Sequence, residues 1–306
     1  MALVHELSWS ASRASTFHAC KRRYYLQYYL AWMGWDRNAS DERKRAYMLK
    51  KMTSMPMLAG DALHRALEEW FQARESGREF TPEEVEQSAL AILRRGYKDS
   101  RDGNWRRKSK LVHLTEHHYE DSRVDEASGA AGEYGKRYVD RIKSAVAMFF
   151  DSDELAEVRA VAPKDYLAFE AMDTFTLFDT KIFAVPDLAY RRGDEVVIYD
   201  WKTGKPREAD RYQLAVYTLY AREKWGTVPE KVESIDAYLA TGEMIGARHT
   251  AEDMVPVEER IEASIAEMRA VHFNADESAG DAEDFPKVEE GSRECSMCNF
   301  RELCER

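Results

Sequence analysis

The sequence predicts a single α/β domain spanning residues 1–306, with a central mixed β-sheet of four or five strands flanked by many helices. Three observations predict it. Residues 182–190 and 195–201 are rich in Ile, Val, Phe and Tyr, and Arg191-Arg192-Gly193-Asp194 between them reads as the turn of a hairpin. Long stretches with apolar residues at helical spacing lie on both sides of that hairpin. Cysteines stand near both ends of the chain, at 20, 295, 298 and 304, and nowhere between. A content of 44% hydrophobic and 11% aromatic residues supplies a core of the size this fold needs.

In chain order, residues 8–30 read as a Ser-capped short helix, a break near Cys20 and a second, aromatic-rich helix. Tyr24, Tyr25, Tyr28 and Tyr29 fit core packing at helical spacing, with stacking on nucleic-acid bases as the alternative. A charged helix follows over 36–54. Met55-Pro56-Met57 interrupts, and a helix over about 57–76 buries Leu58, Leu63, Ala66, Leu67, Trp70 and Phe71. His64 and Glu68, four apart, share one side of it. Thr81-Pro82 starts a helix over 81–96, and the polar residues 97–130 bring His113, His117 and His118 near one another without metal-protease spacing. A helix over 132–150 completes what reads as a helical insertion of about 77–160. Short strands at 166–172 and 174–178 lead into the hairpin, and Glu170 lies within the first. Then come a helix over 211–225, strands over 232–240 and 244–249, a helix over 256–272 and an acidic loop over 274–294.

The net charge of −11 opposes binding nucleic acid with the whole surface. The triplets Lys21-Arg22-Arg23, Arg43-Lys44-Arg45 and Arg106-Arg107-Lys108 could still line a local basic channel, although solvated helix faces carry such triplets more often. No apolar run approaches the ~20 residues that span a bilayer. The N-terminus has neither the basic nor the apolar region of a signal peptide, so a cytoplasmic location is expected. Disulfides are disfavoured there, and the four cysteines need another role.

The chemistry concentrates at the hairpin. Asp200 and Lys202 are two apart on a strand and so face the same way, and Asp187 can be brought beside them. Two carboxylates and an ammonium on one sheet face suit a hard divalent cation and an anionic oxygen, the requirements of phosphodiester hydrolysis. A bare Asp-x-Lys is most often a surface pair. Here Thr203-Gly204-Lys205 follows it, and a helix bearing Gln213 and Tyr217 one turn apart comes next.

Together, Gly60-x-x-x-His64-x-x-Leu67-Glu68, Val185-Pro186-Asp187, Asp200-Trp201-Lys202-Thr203-Gly204-Lys205 and Gln213-x-x-x-Tyr217 resemble the motifs of PD-(D/E)XK nucleases of the RecB type, over most of the chain from Ser8 to Cys304. The resemblance implies a restriction-endonuclease-like core and Mg²⁺ or Mn²⁺ held by His64, Asp187 and Asp200. It makes Lys202 catalytic, supported by Gln213 and Tyr217. Glu170 matches an acid often found on the preceding strand. Ala184 stands where many relatives have glycine, which implies a local change in the turn.

The spacing Cys295-x2-Cys298-x5-Cys304, with the lone Cys20, resembles the iron–sulfur staple of AddB-type and CRISPR-associated RecB-like nucleases, although Lys21 replaces the usual proline after the first cysteine. It implies a 4Fe–4S cluster. The bland alternative is a zinc site built from the same four thiolates. Joining Cys20 to residues 295–304 would close nearly the whole chain into one loop. The function expected is a metal-dependent DNA exonuclease in repair, recombination or CRISPR-type adaptation. DNA, and a helicase or recombination or adaptation protein, would be its partners. The alternative is a non-catalytic iron–sulfur subunit that binds DNA ends.

Overall fold

Eight strands form among the residues that the computed structural model describes, which are 4–169, 173–278 and 280–305. They are β1 (Ser8–Trp9), β2 (Tyr166–Ala168), β3 (Asp173–Leu177), β4 (Thr180–Ala184), β5 (Leu188–Arg192), β6 (Glu195–Lys202), β7 (Val232–Tyr238) and β8 (Glu243–Arg248). Five of them make a mixed sheet in the order β2-β5-β6-β7-β8, and β1, β4 and β3 make a small second sheet. The chain divides into two compact units: Met1–Met52 with Thr176–Phe183 and Glu258–Arg306, and Thr53–Phe175 with Ala184–Val257.

The second unit holds the five-stranded sheet. β5 and β6 are the expected hairpin, antiparallel, with Leu188 opposite Tyr199, but Arg191 and Arg192, expected in the turn, pair in the ladder opposite Val196 and Glu195. Gly193 takes the positive φ of 65° that the turn requires. The strand expected over 182–190 is broken. Pro186 has no N–H to give a ladder, so β4 ends at Ala184 and joins the small sheet, while β5 begins after Asp187. β7 lies parallel to β6 with Asp200 opposite Asp236, and β8 closes the edge antiparallel to β7. The parallel step needs a crossover, which the Glu208–Trp225 helix provides.

Helices cover this sheet. The Met55–Glu75 helix begins two residues earlier than expected, because Pro56 sits in its first turn, where a missing N–H costs nothing. The Pro82–Arg101 helix carries a full capping box between Thr81 and Glu84. With the Ala130–Asp151 helix they enclose a core in which Trp70, Phe71 and Phe149 meet Tyr199 and Trp201 of β6. In the 97–130 stretch, the buried Glu116 accepts bonds from Met55 N and the Tyr134 hydroxyl, both at 2.9 Å. His113 stacks on Trp105 at 3.6 Å. These polar residues hold helices together.

In the first unit, Ser10 caps the Ala11–Ala19 helix, and Cys20 is extended and breaks it from the next. Residues Leu26–Leu30 continue as a π-helical turn. Tyr24, Tyr25 and Tyr29 are buried against Phe285 and Phe273, so core packing accounts for these three. Two of the basic triplets are partly committed internally: Arg22 is buried and pairs with Glu283, and Arg45 pairs bidentately with Glu302.

His5 is buried in this unit, with Nε2 3.0 Å from the Tyr28 carbonyl and its ring stacked on His272. Burial lowers its pKa to about 4, against a partial offset from the Tyr28 carbonyl. The unfolded chain, titrating near 6.5, therefore takes up the proton first, and stability is lost as pH falls from 6.5 to about 4. The loss is on the order of 3 kcal/mol. Thermal unfolding followed against pH should show this slope, and His5→Phe should flatten it.

Candidate active site

The site lies wholly in the second unit, on the face of β6 turned toward the Glu208–Trp225 helix. Strand alternation decides which residues reach it. Trp201 points into the helical core at 2% exposure, so Asp200 and Lys202 on either side of it point the other way together. The Lys202 ammonium pairs with Asp200 Oδ2 and donates to Gln213 Oε1 at 2.9 Å. Burial opposes that charge, but the carboxylates of Asp200 and Asp236 outweigh it and hold the lysine above its ordinary pKa.

Asp200 Oδ1 is held from the helix. The Tyr217 hydroxyl approaches it at 2.6 Å and Gln213 Nε2 donates to it at 3.2 Å, while Gln213 also donates to the Tyr217 oxygen at 2.8 Å. Tyr217 has one proton for two acceptors, Asp200 and the Val185 carbonyl at 3.0 Å, and the charged one is closer. Burial, then the Asp200 and Asp187 carboxylates, push this phenol well above its ordinary pKa, so it stays a neutral donor. The spacing of Gln213 and Tyr217, one helical turn, is what lets both reach a single carboxylate.

The break at Pro186 positions Asp187, whose Oδ2 accepts the Trp201 N–H at 2.5 Å. Its Oδ1 lies 3.3 Å from His64 Nδ1, and His64 Nε2 lies 2.7 Å from the Trp201 carbonyl. That carbonyl can only accept, so Nε2 carries a proton and donates. A neutral imidazole then presents its Nδ1 lone pair to a carboxylate oxygen, which repels unless a proton or a cation stands between them. Two carboxylates, a carbonyl and one imidazole are a donor set that fits a hard divalent ion. Gly60, one turn before His64, permits the close approach of the helix to the strand end: a Cβ there would meet Thr203 Oγ1 at 3.3 Å.

Of the residues expected from the sequence, His64, Asp187, Asp200, Lys202, Gln213 and Tyr217 come together, and Glu170 lies outside the described residues. No group of three or more His, Cys, Asp or Glu side chains among the described residues is arranged to hold a metal ion. His64 and Asp187 face each other, while Asp200 is engaged by Lys202, Tyr217 and Gln213. Sequence reasoning missed Asp236, which is fully buried on β7 opposite Asp200. Burial raises its pKa to about 7, against the opposing effect of Lys202. An aspartate alternating with Val232, Ser234 and Tyr238 on one face of the strand Val232–Tyr238 was the available signal.

The four cysteines, all in the first unit, are free thiols and line one pocket with Arg23, Lys287, Val288, Glu294 and Arg301. Cys20 Sγ accepts the Arg23 N–H and Cys298 Sγ the Phe300 N–H, each at 3.4 Å. Burial pushes the Cys298 and Cys304 thiols up, opposed at the first by the Phe300 N–H and then Arg23, and at the second by Lys287. Sulfur is the donor type a soft metal centre takes, but among the described residues the four side chains are not arranged around a metal position.

No helix among the described residues is long and apolar enough to cross a membrane. A comparison with curated proteins finds no match. The family model of the PD-(D/E)XK nuclease superfamily matches residues 8–305, which include the buried acids, the lysine between them and all four cysteines. On that match the chain belongs to the PD-(D/E)XK nuclease superfamily.

Proposed function

We propose that this protein is a metal-dependent DNA exonuclease of the RecB type, acting in repair, recombination or CRISPR-type adaptation. The observation that carries the reading is the Lys202 ammonium, held between Asp200 and Gln213 on the sheet face that Asp187 and His64 also approach. His64, Asp187 and Asp200 would hold Mg²⁺ or Mn²⁺, and the Trp201 carbonyl adds an oxygen donor. When bound, such an ion polarises the scissile phosphate and lowers the pKa of an attacking water. Lys202 binds the phosphate oxygen and offsets the negative charge that develops on it. Gln213 and Tyr217 hold Asp200 and Lys202 in place. Arg207 and Arg211 line a cavity beside Asp236 and are suited to the phosphate backbone of DNA.

The reading includes a 4Fe–4S cluster on Cys20, Cys295, Cys298 and Cys304, supported by their shared pocket. It also treats 1–306 as one nuclease domain, supported by a family match that runs through both units. A helicase or a recombination or adaptation protein would be a partner.

The test is cleavage of end-labelled single- and double-stranded DNA. Products should appear with Mg²⁺ or Mn²⁺, shorten progressively from an end, and vanish with EDTA. Asp187→Asn should raise the metal concentration needed for half-maximal cleavage by about tenfold or more. Binding of DNA ends without cleavage of any substrate would instead support a non-catalytic end-binding iron–sulfur subunit.

A further inference from the structure

We propose that Asp236 is a positioning residue for Lys202, the counter-ion that keeps its ammonium aimed at the reacting phosphate when the oxygens of Asp200 are committed to a metal ion. The inference deepens the nuclease reading and rests on it. Three observations carry it. The parallel register of β6 and β7 sets Asp236 opposite Asp200, so its carboxylate shares the face that bears Lys202. Asp236 is 0% exposed, and neither of its oxygens has a hydrogen-bond partner. The Lys202 ammonium stands 3.7 Å from Oδ1.

A fully buried carboxylate without hydrogen bonds is costly, and an apolar side chain of similar size would serve the fold better. Its presence calls for a role that an apolar residue could not fill. Lys202 has two close partners, Asp200 Oδ2 and Gln213 Oε1. Both carboxylate oxygens of Asp200 are already in use, one by Lys202 and one by Tyr217 and Gln213. If Asp200 were to hold a divalent ion, the ammonium would lose part of its hold on Oδ2. Lys202 would then keep Gln213, an amide on the helix, and Asp236, a carboxyl group on the neighbouring strand. Held from these two elements, the ammonium would keep its direction with Asp200 turned to a metal ion. A cavity lined by Arg207 and Arg211, and also by Glu243, opens beside Asp236.

The experiment compares wild type, Asp236→Asn, Lys202→Met and the double variant, in full-length protein, by Mn²⁺-dependent cleavage kinetics and by thermal unfolding. Asp236→Asn should lower kcat by about tenfold to a hundredfold with KM little changed, as expected for a misaimed catalytic group. In the unfolding series, Asp236→Asn should raise the Tm of Lys202→Met by several degrees more than it changes that of wild type, because without the lysine the buried carboxylate has lost its counter-charge. The same Tm change in both backgrounds would overturn the pairing. A shift confined to the Mn²⁺ concentration for half-maximal cleavage would make Asp236 a metal ligand and overturn the assignment. If the wild type cleaved no DNA, the nuclease reading would fall, while the Tm cycle would still decide the pairing.

Discussion

Lys202→Ala is expected to lower kcat for DNA cleavage by a factor on the order of 10³, the effect of removing a preorganised charge from the place where negative charge develops. The ammonium is partly buried and is held on two sides by Asp200 and Gln213, so it adopts its working position before substrate arrives. Its contribution should appear in kcat more than in KM, because the charge it meets is greatest in the transition state. Lys202→Arg should not restore the rate. A planar guanidinium cannot occupy a slot set by one carboxylate and one amide around a compact ammonium. The measurement is initial rates with Mg²⁺ or Mn²⁺ on end-labelled DNA, beside circular dichroism and Tm for each variant. Some loss of Tm is expected in Lys202→Ala, since Asp200 and Asp236 then face each other uncompensated. A folded Lys202→Ala variant that cleaved at the wild-type rate would remove Lys202 from the chemistry.

The second large effect concerns the cysteines. Cys298→Ser is expected to strip iron from the purified protein and to lower its Tm by about 10 °C, the scale of losing a cross-link over a very long loop. Cys20 precedes the Lys21–Tyr25 helix, and Cys295, Cys298 and Cys304 close the chain, so a shared cluster would tie the two ends of the first unit together. The pocket would otherwise rest on lesser links such as Arg45 with Glu302 and Asn299 with the carbonyls of Leu49 and Met52. Such a centre contributes its binding energy to folding. Anaerobically purified wild type should be brown, with about four iron and four sulfide per chain. Cys298→Ser should be colourless and unfold earlier. One zinc per chain in colourless wild type would replace the cluster with a zinc staple. A metal-free wild type with the same Tm as the variant would leave the thiols without a structural metal.

Much of this site was legible because its parts are local. Asp200 and Lys202 share a face by strand alternation alone. Gln213 and Tyr217 share one by helical spacing, and Val185-Pro186-Asp187 is a contiguous motif. The cysteine spacing needed no structure to be read. What the sequence determined by itself was this set of short-range geometries, together with the hairpin and the strands that follow it over 232–240 and 244–249.

The tertiary structure decided the rest, since it depends on pairings between residues far apart in the chain. The sequence reads as one strand over 182–190, and only the structure shows that it breaks at Pro186 and that β4 joins a separate sheet with β1 and β3. Arg22 and Arg45 read as a basic surface until Glu283 and Glu302 arrive from the other end of the chain. Asp236 is an unremarked strand residue until the parallel register of β6 and β7 sets it opposite Asp200. A parallel neighbour is brought in by a crossover helix, and no local period records its register. The lysine's direction is therefore written in the strand that bears it, and its surroundings in a strand thirty residues later.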